Sequence, residues 1–318
     1  MKQILTVKGL VDFAYNKYKS KKAITLDRGY RKSINYFNYR FDIYSLARAI
    51  NSKINSKKVA IISESRYEFF VTYLANVMLE NTVIIIDNGL SQNAISKIIK
   101  KYDINTVFFS NTNKDKILEI FKNNTKKKKL NLVNFDSNNK FPIIEYEKLI
   151  NLGRYIEDNS VDNIPDIEGK DKNIIIVNLK GIKEYSQQDF IISAYIIGKN
   201  IKLKKKKEIL SDININTFYK TVIKIILPLL YGLNIQFITD DNQKSENNIE
   251  ILEEEKNKAT IHYRKNKYIV QNHNVDTYLL RVEDNLLKKE NKKESPNFVL
   301  IRSNKREKIK NDRKSLTI

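Results

Sequence analysis

The residue types that most often carry covalent or metal chemistry are scarce in this 318-residue chain, which has no cysteine and two histidines, His262 and His273. The lack of cysteine excludes disulfides, thiolate nucleophiles and cysteine-containing zinc sites, and it fits a reducing compartment. The spacing of the two histidines fits neither the HExxH zinc helix nor another short ligand pair. We interpret both as structural residues and predict no catalytic residue and no metal site.

Glycine is rare as well, with 8 residues in 318, although its usual share is about 7%. The loops that cradle phosphates with backbone N–H groups need glycines within six positions of one another. No two glycines in this chain are closer than twelve residues. The GxGxxG, GxxxxGK[ST] and GxSxG motifs are therefore all excluded.

The formal net charge is +21, from 58 lysines and arginines against 37 acidic residues. Such a charge is typical of proteins that bind nucleic acid or an anionic membrane surface. The lysines are spread along the whole chain, and the local runs Lys126–Lys129 and Lys204–Lys207 are short. We therefore expect no nucleic-acid partner, while peripheral contact with a membrane stays open. No segment is a signal peptide or a membrane span, so we predict a soluble, cytoplasmic protein.

From residue 58 onward, short apolar runs alternate with amphipathic segments, which is typical of parallel strands covered on both faces. This pattern predicts an α/β fold: a doubly wound, mainly parallel sheet with helices on both faces. Ser91 is a candidate N-cap of one helix. The predicted strands are Val59–Ser63, Val83–Asp87, Thr106–Ser110 and Leu130–Phe135, and the predicted helices are Arg66–Leu79, Ser91–Lys101 and Lys114–Lys122.

The flanking segments suggest three regions. Residues 1–57 hold two predicted helices and a small hairpin, residues 58–240 form the main domain with a linker-like loop at 155–173, and residues 241–318 form a small α+β tail with a basic end. Outside the main alternation, the predicted helices are Val7–Lys19, Phe41–Ile54, Ser186–Gly198, Phe218–Tyr231 and Val275–Leu287. The predicted hairpin consists of Ala23–Leu26 and Ser33–Tyr36, and the other predicted strands are Ile174–Val177, Asn234–Ile238, Ala259–Arg264, Lys267–Gln271 and Phe298–Ile301.

Several segments occur in the order and spacing of one known family. Lys21–Ile24 reads KKAI, Lys58–Phe69 reads KVAIISESRYEF, Val83–Asp87 reads VIIID and Leu227–Gly232 reads LPLLYG. Over residues 5 to 240 the chain resembles the AMP-forming acyl-CoA synthetases, especially the long-chain fatty-acid type. The matching family segments are "kVAIiseNryeW", "vvvPlD" and "LlPLlyGa".

The resemblance implies a hydroxyl-rich loop after the strand Ile174–Val177, where the family holds the ATP phosphates. In this chain the strand continues through Asn178 and Leu179 directly into Lys180-Gly181-Ile182, the equivalent of the family's "KGV". Asn178, Lys180 and Gly181 are the candidate remnants of a nucleotide site. The simpler interpretation is that Lys180 and Gly181 form a strand-to-helix turn.

Other family motifs are also replaced or missing. Where the family reads "LPLhHxyE", the chain has Ile213 to Lys220, with lysine in place of the glutamate. No "YGxTE" segment, "TGD" aspartate or C-terminal "GK" lysine is recognisable. About 80 residues follow the matching part, which we expect to be too few to complete the active site.

Three hypotheses follow. The first is a degenerate, truncated relative that lacks ATP-dependent fatty-acid activation and needs no cofactor. The second is a divergent or split ligase that uses ATP, Mg²⁺, CoA and a fatty acid, with a complementary synthetase fragment as partner and an acyl group as ligand. The third is a basic protein that binds nucleic acid or an anionic membrane surface through its lysines.

Overall fold

The computed structural model describes residues 4–27, 31–124, 130–137, 142–157, 161–164, 169–200, 208–211, 215–237, 258–264, 267–272, 277–282 and 298–302. The helices are α1 (Val7–Tyr18), α2 (Tyr36–Ala49), α3 (Tyr67–Met78), α4 (Gln92–Lys101), α5 (Lys114–Asn124), α6 (Tyr146–Arg154), α7 (Gln187–Asn200), α8 (Phe218–Thr221) and α9 (Leu227–Tyr231). Segments Ile50–Ile54 and Val222–Ile226 are π-helical and Asn111–Asn113 is 3₁₀-helical.

The described strands form two sheets. The strands are β1 (Lys22–Asp27), β2 (Arg31–Asn35), β3 (Lys58–Ile62), β4 (Thr82–Ile86), β5 (Thr106–Phe109), β6 (Asn131–Asn134), β7 (Ile143–Glu145), β8 (Ile174–Asn178), β9 (Gly181–Tyr185), β10 (Glu208–Ser211), β11 (Asn234–Phe237), β12 (Lys258–Arg264), β13 (Lys267–Asn272), β14 (Thr277–Val282) and β15 (Phe298–Arg302).

The seven-stranded sheet has the order β7-β6-β5-β3-β4-β8-β9, and every neighbouring pair is parallel except β8 with β9. Alternate residues of one strand enter different cores because successive side chains point to opposite faces. In β3, Val59 and Ile61 join the core that contains residues of α1, α2 and α3, while Ala60 and Ile62 join the core beneath α4 and α5. The predicted doubly wound α/β fold is therefore confirmed.

The eight-stranded sheet has the order β15-β14-β13-β12-β10-β11-β1-β2. It combines the N-terminal hairpin with strands from residue 208 onward, since β1 pairs in parallel with β11. Tyr36 fastens this hairpin to α9, because its hydroxyl group lies 2.8 Å from the carbonyl oxygen of Pro228 and 2.7 Å from that of Leu233. The division of the chain at residues 57 and 240 stays a prediction.

Two predicted helices differ in the structure. The second helix begins at Tyr36 and not at Phe41, because the side chain of Asn35 accepts a hydrogen bond from the Asn38 N–H at 2.8 Å and caps the helix where the hairpin ends. The predicted helix Val275–Leu287 is wrong, since Thr277–Val282 is strand β14, which is hydrogen-bonded to β13 and β15. Two neighbouring strands outweigh a weak helical pattern.

Several other expectations can be compared directly. Ser91 caps α4 as predicted, with its hydroxyl accepting from the Ala94 N–H at 3.3 Å. The predicted strands Ala259–Arg264 and Lys267–Gln271 correspond to β12 and β13, which pair in antiparallel register. Within the expected linker 155–173, Val161 is fully buried. Some features that the sequence suggests lie outside the described residues. They are the basic runs Lys126–Lys129 and Lys204–Lys207, the turn at Lys265–Asn266, His273 and most of Arg302–Lys314.

An aspartate in place of Ile61 or Ile85 will unfold the protein. Both side chains are fully buried at the centre of the seven-stranded sheet, so either substitution buries a charge without a partner and costs several kcal/mol. Urea denaturation of Ile61→Asp and of the conservative control Ile61→Val measures this difference. An aspartate variant that unfolds at the wild-type urea concentration would contradict the described core.

Candidate functional site

The carboxyl ends of the parallel strands are the edge where α/β proteins bind ligands. At this edge Asp87 follows β4 and Asn178 ends β8, and the two strands are bridged by a hydrogen bond of 2.9 Å from the Asp87 N–H to the Val177 carbonyl. The candidate nucleotide residues Asn178, Lys180 and Gly181 all lie at this edge, where β8 turns into β9.

The connection between β8 and β9 is a tight hairpin. Asn178 pairs with Gly181, so the turn consists of two residues, Leu179 and Lys180. Gly181 has a φ of 127°, a conformation that favours glycine. The interpretation of Lys180-Gly181 as a strand-to-helix turn is therefore wrong. The short and mostly exposed sequence of β9 did not predict a strand, but its pairing with β8 supplies the backbone hydrogen bonds.

The side chain of Asn178 holds this hairpin in place. Its side-chain oxygen accepts a hydrogen bond from the Lys180 N–H at 2.9 Å, and its side-chain amide donates to the Asn216 carbonyl at 2.8 Å. The Asn216 amide in turn donates to the Asp87 carboxylate at 2.8 Å, and the Lys220 ammonium donates to the Asn216 side-chain oxygen at 2.9 Å. These contacts link Asp87, Asn178, Asn216 and Lys220 in one polar network.

Sequence reasoning did not identify Asp87 and Asn216 as members of this network. Asp87 could have been found, because it directly follows a buried parallel strand and therefore lies at the ligand-binding edge. Asn216 had no such signal, since it lies 129 positions away from Asp87. Only the tertiary fold brings the two side chains together.

The hairpin turn differs from a phosphate-binding loop in three respects. The Lys180 N–H is already bound to Asn178, and the side chain of Leu179 is 83% exposed at the tip. A Cβ built on Gly181 would meet no atom within 4 Å, so no concave wall surrounds this residue. A phosphate cradle needs several converging N–H groups, and one N–H of this two-residue turn is already bound within the protein. That Asn178, Lys180 or Gly181 contacts a nucleotide stays a prediction.

A second polar group lies at the same edge, after β3 and β5. The Glu64 carboxylate accepts hydrogen bonds from Ser110 at 2.6 Å and from Thr112 at 3.1 Å, and it pairs with Arg66 at 3.3 Å. Burial favours a raised pKa for Glu64, but the hydrogen bonds from Ser110 and Thr112 and the charge of Arg66 outweigh it and lower the pKa. A carboxylate with a lowered pKa is a poor general base, so this group stabilises the strand ends.

The described part of the chain offers no obvious set of metal ligands. There, no group of three histidine, cysteine or acidic residues is arranged to hold a metal ion. None of the helices that the structure describes has the length and apolarity that a membrane crossing requires.

Comparison with solved structures identifies the fold. The chain superposes on a protein from Rhodopseudomonas palustris assigned as a long-chain fatty-acid CoA ligase, with a TM-score of 0.59, 13% identity, and coverage of 74% of this chain and 58% of that one. This is the fold of the AMP-forming adenylating enzymes. No protein-family model and no curated protein sequence matches the chain.

Two further AMP-forming enzymes show the same likeness. The A-PCP didomain of carboxylic acid reductase from Segniliparus rugosus, solved with AMP, gives a TM-score of 0.63 at 11% identity and covers 76% of this chain and 39% of that one. The luciferase-like enzyme of Zophobas morio gives 0.57 at 14% identity, with coverage of 73% and 54%. The chain thus spans about two fifths to three fifths of these adenylating proteins, and the likeness is to their N-terminal part.

Replacing Asn178 with alanine will lower the free energy of unfolding by about 2 kcal/mol, because two side-chain hydrogen bonds are lost and their partners are left unpaired. Lys180→Ala at the exposed turn is the matched control and will change stability by less than about 0.5 kcal/mol. Urea denaturation of both variants measures the difference. Equal effects of the two substitutions would show that Asn178 does not hold the hairpin.

Proposed function

We infer that this chain is a degenerate relative of the AMP-forming acyl-CoA synthetases that does not carry out ATP-dependent fatty-acid activation by itself. The observation that carries the proposal is the two-residue turn Leu179-Lys180, which stands where the resembling family has its phosphate-binding loop. The fold of the N-terminal part of these enzymes is kept, while the segment that would hold the phosphates is not present at this position.

The energetic consequence for catalysis is large. Acyl adenylation develops charge on the phosphates, and fixed donors must neutralise it in the transition state. Removal of one such donor typically costs about 10²–10³ in rate. At this hairpin every donor of the expected loop is missing, so turnover falls below detection.

The residues around the turn support the same proposal. Lys220, at the position of the family's glutamate, donates to the Asn216 side chain at 2.9 Å. Asn216 is itself bound to Asp87, and that aspartate also accepts from the Gly89 N–H at 3.0 Å. A network that satisfies its own members stabilises the edge of the sheet and leaves little polar capacity for a ligand.

The chain's cellular role is part of this proposal. We also propose that the protein is cytoplasmic, because a chain without cysteine forms no disulfides and gains nothing from an oxidising compartment. A split ligase, completed by a fragment that carries the missing motifs, is the alternative, since the compared enzymes extend well beyond the part that this chain matches.

The purified full chain, incubated with ATP, Mg²⁺, palmitate and CoA, will release no pyrophosphate above background. The measurement is a coupled pyrophosphate assay with and without the fatty acid, and an active acyl-CoA synthetase serves as positive control. Palmitate-dependent pyrophosphate release that is lost in Lys180→Ala would overturn the proposal and assign Lys180 to a working nucleotide site.

A further inference from the structure

A basic surface with exposed aromatic side chains lies where α1 ends and α2 begins. Residues 13–41 contain eight basic residues and one acidic residue, which is about a third of the net charge of +21 in less than a tenth of the chain. Most of these residues form the second half of α1, strands β1 and β2 and the start of α2. The positive charge of the chain is therefore locally concentrated in this part of the fold.

Contacts between α1, α2 and the segment that follows α1 bring the side chains together. The Lys19 ammonium lies 5.6 Å from the centre of the Phe37 ring. The ammonium groups of Lys17 and Lys21 lie 5.4 Å and 5.0 Å from the centre of the Tyr18 ring. The Phe37 N–H also donates to the Lys19 carbonyl oxygen at 3.1 Å, so α2 begins directly on the segment that carries the lysines.

These three lysines are available to an anion outside the protein. They are exposed, and none of the ion pairs among the described residues includes any of them. The acidic residues of the two helices pair with arginines instead, Asp12 with Arg40 at 2.7 Å and Asp42 with Arg154 at 2.9 Å. The lysine ammonium groups therefore keep donors that no carboxylate of the described chain occupies.

Two phenylalanines of α2 are exposed beside the lysines. Phe37 is 43% exposed and Phe41 is 42% exposed. The two are four residues apart in one helix, so their side chains lie on the same face. Lysines next to exposed phenylalanines are typical of protein surfaces that lie in a membrane–water interface. We call this surface the aromatic–lysine patch, and it consists of Lys17, Lys19, Lys21, Phe37 and Phe41.

We propose that the aromatic–lysine patch binds the surface of a membrane that contains anionic lipids. The lysines donate to the lipid phosphates, and the two phenylalanine side chains enter the headgroup region. Charge complementarity supports this partner, because an anionic leaflet attracts basic side chains that come within a Debye length, about 8 Å at physiological ionic strength. The proposal is independent of the proposed loss of catalysis.

The details of the patch favour a lipid surface over nucleic acid, the other common polyanion. Proteins that recognise phosphates and bases often use arginine guanidinium groups, but Arg40, which lies between the two phenylalanines in the sequence, is bound to Asp12. Bases stack on free aromatic faces, whereas the Lys19 ammonium already lies over the Phe37 ring. Insertion into a headgroup region does not need a free ring face.

The test uses tryptophan fluorescence of the full chain, which has no tryptophan of its own. Phe37→Trp places a single reporter in the patch. We expect its emission to shift to shorter wavelength with vesicles of phosphatidylcholine and phosphatidylglycerol, and to be quenched when the lipid chains are brominated. Vesicles of phosphatidylcholine alone will have no effect. Tyr195→Trp is the matched control, since Tyr195 is an aromatic residue of α7 that is 47% exposed, and its emission will not change.

A second pair of variants separates the patch from the general positive charge of the chain. In co-sedimentation with the mixed vesicles, Lys19→Gln will weaken binding about three- to fivefold, because a lipid-facing lysine is lost. Lys101→Gln makes the same charge change on α4, where the Lys101 ammonium also lies over an aromatic ring, 5.2 Å from the centre of Tyr102. It will change the affinity by less than about twofold.

Three results would overturn the proposal. The first is an absence of binding to the mixed vesicles. The second is an equal response of the two members of either pair, which would show that the protein has no preferred membrane-binding face. The third is stronger quenching of Phe37→Trp by a single-stranded oligonucleotide than by brominated vesicles, which would assign the patch to nucleic acid.

Discussion

Strand β8 lies between β4 and β9, and its hydrogen bonds to both neighbours determine the path of the chain after its last residue. Pairing with β4 is parallel and continues the buried layer of the sheet. Pairing with β9 is antiparallel and closes at once through Leu179 and Lys180. Because the two strands pair up to their last residues, the chain has no length left over for a loop at this edge. The network of Asp87, Asn178 and Asn216 then occupies the space beside it.

The same edge of the sheet therefore carries two different arrangements of polar groups. Around β4 and β8 the polar side chains satisfy one another. Farther along, beyond β3 and β6, the carboxylates form pairs with Arg66 and leave the Tyr146 hydroxyl without a partner. The first arrangement holds the β8–β9 hairpin in place, and the second joins the start of α3 to the end of β6 through Arg66.

The sequence was sufficient to predict the parallel layer, because the runs around Ile61, Ile85 and Phe108 are continuously apolar and separated by amphipathic helices. It was not sufficient for β9 and β14. The residues Gly181–Tyr185 are exposed apart from the last, so only pairing with β8 makes them a strand. The contact between α2 and α6 was equally hidden, since Asp42 and Arg154 lie 112 positions apart and pair only when the two helices pack together. Long-range pairing of this kind leaves no local signal in the residues themselves.

We propose that the hairpin at Asn178–Gly181 offers no nucleotide site, and the most direct test is the melting temperature with ATP and Mg²⁺ compared with an equal concentration of tripolyphosphate. One exposed lysine contributes at most about 1 kcal/mol, whereas micromolar affinity needs about 8 kcal/mol. We therefore predict that the two polyanions shift the melting temperature equally at millimolar concentration. A larger shift with ATP, lost in Lys180→Ala, would show that an adenosine pocket exists and would contradict the account.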